Sequence, residues 1–180
     1  GFVAANLLRL ESFLEVKTIT FISAPESMAK VGRAFLEGST ILERVLSLFA
    51  RIRYGKIAQL TTSNSIVSSK IPTLFIHGEK DQVIDYKYSG LLYLNISRNK
   101  ENIRPLIFQN KHHNPYLTEE SEAALMMMLY RQHELKKTKN TQLLSSFYSS
   151  IDYGLLGNDD MIVFEVIAKL IKEHCNGAKN

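Results

Sequence analysis

An aspartate and a histidine of this sequence are candidates for joint proton-transfer chemistry. Asp81 follows the apolar run Leu74, Phe75, Ile76 and the pair His77-Gly78. His113 lies further along the chain, in a polar segment that ends at a proline. A carboxylate that binds an imidazole fixes the orientation of the ring and stabilises its protonated form. These residue types therefore predict an acid–base pair, which is two of the three members of a nucleophilic triad.

Two predicted strands would position this pair. Pro72 disfavours a helix before the run that starts at Leu74, and this run is short enough for a strand buried on both faces. A second strand is predicted over residues 104–109, just before the histidine segment. If the two strands are parallel neighbours, Asp81 and His113 emerge at the same rim, where open α/β sheets place their ligands.

Each of these residues also has a structural interpretation. An aspartate after a strand often caps a turn. Asp85 is a second candidate for the acid, although its position suits the start of a helix. His112 competes with His113 as the base, and His77 is expected to be a structural partner of the acid loop. His133 and His174 fall late in predicted helices, where a cationic ring suits the helix dipole.

The remaining pattern predicts an α/β fold, a mainly parallel sheet with flanking helices. The β-branched residues from Lys17 to Ser23 indicate a further strand. Helices are predicted over residues 2–14, 26–37, 40–52, 85–96, 118–140 and 159–174, and loops over residues 61–69 and 97–102. Thr40 and Glu43 have capping-box spacing, Asn140 is expected to end its helix, and Asp159 is expected to cap the last one.

The acid and base segments resemble the C-terminal half of the α/β-hydrolase fold, in which a strand ending in HGxxDxV carries the acid and a GHN-like loop carries the base. The residues that carry the resemblance are His77, Gly78, Asp81, Val83, His113 and Asn114. The sequence departs from the family at His112, where the family has glycine. Residues 1–8 resemble the start of the helix after the nucleophile elbow, G-x-S-x-G-G, with Gly1 as its last glycine.

The resemblance implies a serine hydrolase that cleaves carboxylic esters or thioesters, as an esterase or lipase does, with a small-molecule ester or acyl substrate and no cofactor. Asp81 would be the acid and His113 the base. The serine would lie just before residue 1, because no serine of the chain lies in G-x-S-x-G and Ser23 lacks flanking glycines. The 180 residues would then be one incomplete domain, catalytically inactive alone.

The resemblance also assigns roles to the two longest stretches between the motifs. Residues 26–70 would be a lid or cap insertion, although the apolar face of residues 40–52 could equally pack on the sheet. Residues 118–157 would be a helical insertion or an appendage. The alternative function is a non-catalytic binding or scaffolding module of the same fold, and an unrelated flavodoxin-like domain is disfavoured because no glycine-rich phosphate loop is visible.

Composition excludes several other classes. A net charge of +4 from scattered lysines and arginines gives little support for nucleic-acid binding. The single cysteine, Cys175, excludes an internal disulfide and fits a cytoplasmic protein. No apolar stretch is long enough to span a membrane, and no HExxH motif or cysteine pair indicates a metal site. The strand over residues 17–23 should have an open edge, which a missing N-terminal half or a second copy would cover.

Overall fold

The computed structural model describes residues 16–35, 39–90 and 102–175. The helix predicted over residues 2–14 and the elbow-like residues 1–8 lie outside this part. So do residues 91–96 of the helix predicted over residues 85–96 and residues 97–101 of the loop predicted over residues 97–102. The chain divides into two compact units, one formed by Gly1–Pro115 with Glu165–Asn180 and the other by Tyr116–Phe164. The interpretation of residues 118–157 as an insertion or appendage to one domain stays a prediction.

A three-stranded parallel sheet organises the first unit. Its strands are β1 (Ile19–Ile22), β2 (Thr73–Gly78) and β3 (Ile103–Phe108), in the order β1-β2-β3. Ile22 pairs with Ile76, and Gly78 pairs with Phe108. The predicted parallel sheet with flanking helices is therefore confirmed. Within the described part of the chain, β1 has no further strand on its outer side.

The central strand forms the core of this unit. All six residues of β2 are buried, as expected for a parallel strand covered on both faces. The ring of Phe75 lies 5.9 Å from that of Phe21 in β1, and both pack with the fully buried Ile66. The apolar run that the sequence indicated is thus the buried centre of the sheet.

Two helices follow β1, α1 (Met28–Phe35) and α2 (Thr40–Tyr54), and a 3₁₀ turn, Gly55–Gln59, continues α2. Ser39, and not Thr40, caps α2, because its side chain accepts the Leu42 N–H. No residue of α2 is buried. The hypothesis that its apolar face packs on the sheet is therefore wrong.

The prediction of a loop over residues 61–69 is also wrong, because Thr62–Ser68 form helix α3. Thr61 caps this helix, and most of its small polar side chains are buried. The buried Glu26 accepts hydrogen bonds from the backbone N–H and the hydroxyl of Ser63, and Thr62 donates its hydroxyl proton to the Pro25 carbonyl at 2.6 Å. Hydrogen-bond partners distant in sequence thus satisfy the polar groups of this helix, although its composition is typical of a loop.

The second unit is helical. Its helices are α4 (Glu119–Lys137), α5 (Thr141–Ser149) and α6 (Tyr153–Leu156), followed by α7 (Met161–Cys175), which continues into the first unit. Asn140 starts α5 instead of ending α4, and Asp160, not Asp159, accepts the N–H of Ile162 at the start of α7. None of the helices in the described residues has the length and apolar content of a membrane span.

Candidate active site

The acid and base segments leave the sheet at adjacent positions. Asp81 lies in the turn after β2, and His113 lies in the loop after β3. Two backbone hydrogen bonds tie these segments together, from Glu79 N–H to the Phe108 carbonyl at 3.0 Å and from Lys80 N–H to the Lys111 carbonyl at 2.9 Å. The main chain therefore fixes the distance between the two segments.

Gly78 makes this close approach possible. A Cβ atom at Gly78 would lie 2.5 Å from the Lys111 carbonyl oxygen and closer still to that of His112. Both neighbours are backbone atoms, which cannot move aside as a flexible side chain would. The glycine of the His-Gly pair is thus required by the path of the base loop.

The Asp81 carboxylate is buried and has three hydrogen-bond donors. Its Oδ1 accepts the backbone N–H groups of Val83 and Ile84, each at 2.8 Å. Its Oδ2 lies 2.9 Å from Nδ1 of His113. Burial alone would raise the pKa of Asp81, but the hydrogen bonds from His113 and Ile84 outweigh this effect and hold the pKa below its ordinary value. Asp81 therefore remains ionised.

This contact determines the orientation of His113. An ionised carboxylate can only accept, so Nδ1 of His113 must carry the proton. The other ring nitrogen, Nε2, has no hydrogen-bond partner among the described residues. The side chain is 33% exposed, so this nitrogen belongs to a ring that solvent reaches. Such an imidazole can accept a proton at Nε2 while Asp81 stabilises the resulting charge.

His77 supports the acid loop through a hydrogen bond to its backbone. Its ring is fully buried, and Nε2 lies 2.9 Å from the Ile84 carbonyl oxygen and 3.6 Å from Oδ2 of Asp81. Because a carbonyl only accepts, Nε2 must carry the proton in this contact. Burial lowers the pKa of His77 against the opposing charge of Asp81, so the ring is neutral. His77 thus holds Ile84, which itself donates to Asp81.

The other candidates from the sequence have different positions. Asp85 caps the 3₁₀ turn Tyr86–Tyr88 and forms an ion pair with Lys87 at 2.9 Å, so it does not contact the base. His112 contributes a carbonyl next to Gly78. His133 and His174 are exposed on helices α4 and α7.

Ser23 has the strained backbone of an elbow serine but lacks an exposed hydroxyl. Its backbone φ of 48° lies in the left-handed region, directly after β1, as at a sharp turn. Its hydroxyl, however, is buried and has no hydrogen-bond partner. Within residues 16–35, 39–90 and 102–175, no serine hydroxyl contacts His113. The described residues therefore pair the Asp81 carboxylate with the His113 ring and bring no serine hydroxyl to that ring.

Glu26 is a buried acid whose burial the sequence did not indicate. Glu26 lies just beyond β1, and burial raises its pKa against the hydrogen bonds from Ser63. Both of its oxygens are engaged by Ser63. Its role is therefore to hold α3, and no local pattern could reveal it because its partner is 37 residues away. No metal-binding group of side chains occurs among the described residues.

Comparisons of the chain with protein-family models, with curated proteins and with solved structures find no match. The function of the site is therefore inferred from its geometry.

The close packing at Gly78 leads to a first prediction. Gly78→Ala should lower the free energy of unfolding by about 1–3 kcal/mol or more, because the new methyl group collides with two backbone carbonyls. Gly157→Ala is the matched control, since its φ is −112° and its Cβ would lie 3.6 Å from the Tyr153 carbonyl. The control should change stability by less than about 0.5 kcal/mol in urea unfolding. Equal stability of both variants would contradict the described path of the base loop.

The neutral state of His77 leads to a second prediction. Its pKa in the folded chain lies below the ordinary 6.5, so the unfolded chain binds a proton first as the pH falls. The free energy of unfolding should therefore decrease below about pH 6.5, with a slope of up to ~1.4 kcal/mol per pH unit from this residue. His77→Gln, whose amide can still donate to Ile84, should show a shallower slope in urea unfolding between pH 7 and about pH 5. His133→Gln controls for the loss of one histidine. Identical slopes in wild type and His77→Gln would show that burial does not keep this ring neutral.

Proposed function

We propose that this chain carries the acid and the base of a serine hydrolase of the α/β-hydrolase type, which cleaves carboxylic esters or thioesters. The observation that carries the proposal is the contact of 2.9 Å between Oδ2 of Asp81 and Nδ1 of His113 at the carboxyl rim of a parallel sheet. The nucleophile is a serine that precedes residue 1 of the sequence.

The proton chemistry follows from the two ring nitrogens of His113. Nε2 accepts the proton of the attacking serine hydroxyl as the Oγ–carbonyl bond forms. Asp81, ionised and hydrogen-bonded to Nδ1, stabilises the imidazolium without taking its proton. His113 then returns the proton to the leaving alcohol or thiol. Water repeats the cycle to release the acid, so no cofactor is required.

The sheet topology supports this proposal in two ways. The acid turn and the base loop follow neighbouring parallel strands, which is the arrangement that the HGxxDxV and HN motifs have in the resembling enzymes. In addition, β1 is an edge strand in the described residues, so its outer side could pair with a strand that precedes residue 1. Such a strand would carry the serine at the same rim.

The substrate class is inferred from the apolar segment that follows β1. Helix α2 presents several large apolar side chains to solvent. An acyl chain is a better match for such a surface than a sugar or a charged peptide. The proposed substrates are therefore small-molecule acyl esters or thioesters.

One observation favours a second candidate, a non-catalytic binding or scaffolding module. The described residues contain no hydroxyl in contact with His113, and the site can be structural if no serine is supplied. The two candidates differ in one measurable property, the presence of an activated serine.

The third prediction concerns this serine. A fluorophosphonate probe should label one serine of the folded full-length protein. Labelling should fall about 10⁴-fold in Asp81→Asn and to the background rate in His113→Ala, because the first loses the orientation of the base and the second loses the base itself. Asp85→Asn and His133→Ala are matched controls, since neither residue contacts the pair. Absence of labelling in folded protein would favour the binding module, and unchanged labelling in both site variants would overturn the proposed roles.

A further inference from the structure

Helix α2 has an apolar surface that faces solvent. Five residues, Ile41, Val45, Leu48, Phe49 and Ile52, are each between 55% and 77% exposed. At 100° per residue these positions fall on one continuous arc of the helix. Exposure of so many large apolar side chains along one helix indicates a surface that binds something apolar.

The opposite side of the helix is already occupied. Glu43 forms an ion pair with Lys30 of α1 at 3.3 Å. Leu46 packs so closely on α1 that a Cβ atom at Gly32 would lie 2.5 Å from its Cδ1. Contacts with α1 therefore fix the orientation of α2, and the apolar arc is the side that remains free.

Basic residues lie along both edges of the apolar arc. Arg44 and Arg51 lie one turn from Leu48 in either direction, along one edge of the arc, and Arg53 lies one turn after Phe49, along the other edge. Lys56 follows in the 3₁₀ turn. The only acidic residue of the helix, Glu43, faces α1 and is paired there. The apolar arc is thus bordered by positive charge on both sides.

We infer that α2 is a docking surface for an anionic lipid bilayer. In this orientation the apolar arc enters the boundary between headgroups and acyl chains, with the helix parallel to the membrane plane. The arginine stems extend along the apolar surface and place their guanidinium groups among the lipid phosphates. This surface is the same one from which the acyl substrate class was inferred, but its binding to a bilayer does not require the Asp81–His113 pair or the proposed catalysis.

Vesicle binding by the full-length protein tests this inference. The protein should co-sediment with vesicles of 70% phosphatidylcholine and 30% phosphatidylserine more strongly than with phosphatidylcholine alone. Phe49→Ser combined with Ile52→Ser should weaken this binding at least ten-fold, because it removes two apolar groups from the bilayer boundary. Arg44→Gln combined with Arg51→Gln should weaken binding to the anionic vesicles about thirty-fold and reduce the preference for phosphatidylserine, to which Arg53 and Lys56 still contribute.

A matched control comes from the second unit. Met127 and Tyr130 on α4 are 74% and 70% exposed, and their replacement by serine should leave vesicle binding unchanged. Failure of the wild-type protein to bind anionic vesicles would overturn the inference. A concentration-dependent dimer in light scattering that the Phe49→Ser, Ile52→Ser variant abolishes would overturn it as well, because the arc would then bind a second copy of the chain.

Discussion

The buried Asp81 carboxylate is the constraint on which the carboxyl rim of the sheet depends. An uncompensated carboxylate in such a place costs several kcal/mol. Two backbone N–H groups and the His113 ring supply the compensation, and hydrogen bonds to a charged group contribute about 1.5–3 kcal/mol each. His77 supports this arrangement by holding the carbonyl of Ile84, and its Nε2 also lies 3.6 Å from Oδ2 of Asp81. The acid turn, the base loop and the buried histidine therefore form one electrostatic unit.

The sequence was sufficient to predict the sheet and the proximity of Asp81 to His113. Pro72, the apolar run after it and the β-branched residues before Ser23 are local signals, and parallel strands necessarily bring their carboxyl ends to one rim. Gly78 lies against the backbone carbonyls of Lys111 and His112 because of the way the base loop packs on β2, which the sequence does not show directly. The sequence shows only the result of this packing, the glycine that follows His77. The assignment of catalysis to this pair remains a proposal.

Other features depend on partners that no local pattern reveals. Residues 62–68 are helical because Glu26 and Pro25 satisfy their small polar groups, and these partners lie far upstream. The periodicity of α2 showed an apolar face without showing what the face covers, and the contacts with α1 leave it exposed. The sequence misplaces the end of α4 and the start of α7 for a simpler reason, since a neighbouring polar residue caps each helix instead, Thr138 for α4 and Asp160 for α7.

The tautomer of His113 is the most direct measure of the central claim, that Asp81 orients this ring for proton transfer at Nε2. Long-range ¹⁵N–¹H correlation spectra of the histidine-labelled full-length protein, recorded with neutral rings, distinguish the two ring nitrogens. We expect a proton on Nδ1 of His113 and on Nε2 of His77, with the His113 signals shifted in Asp81→Asn and unchanged in Asp85→Asn. A neutral His113 protonated at Nε2, with signals that do not respond to Asp81→Asn, would contradict this claim.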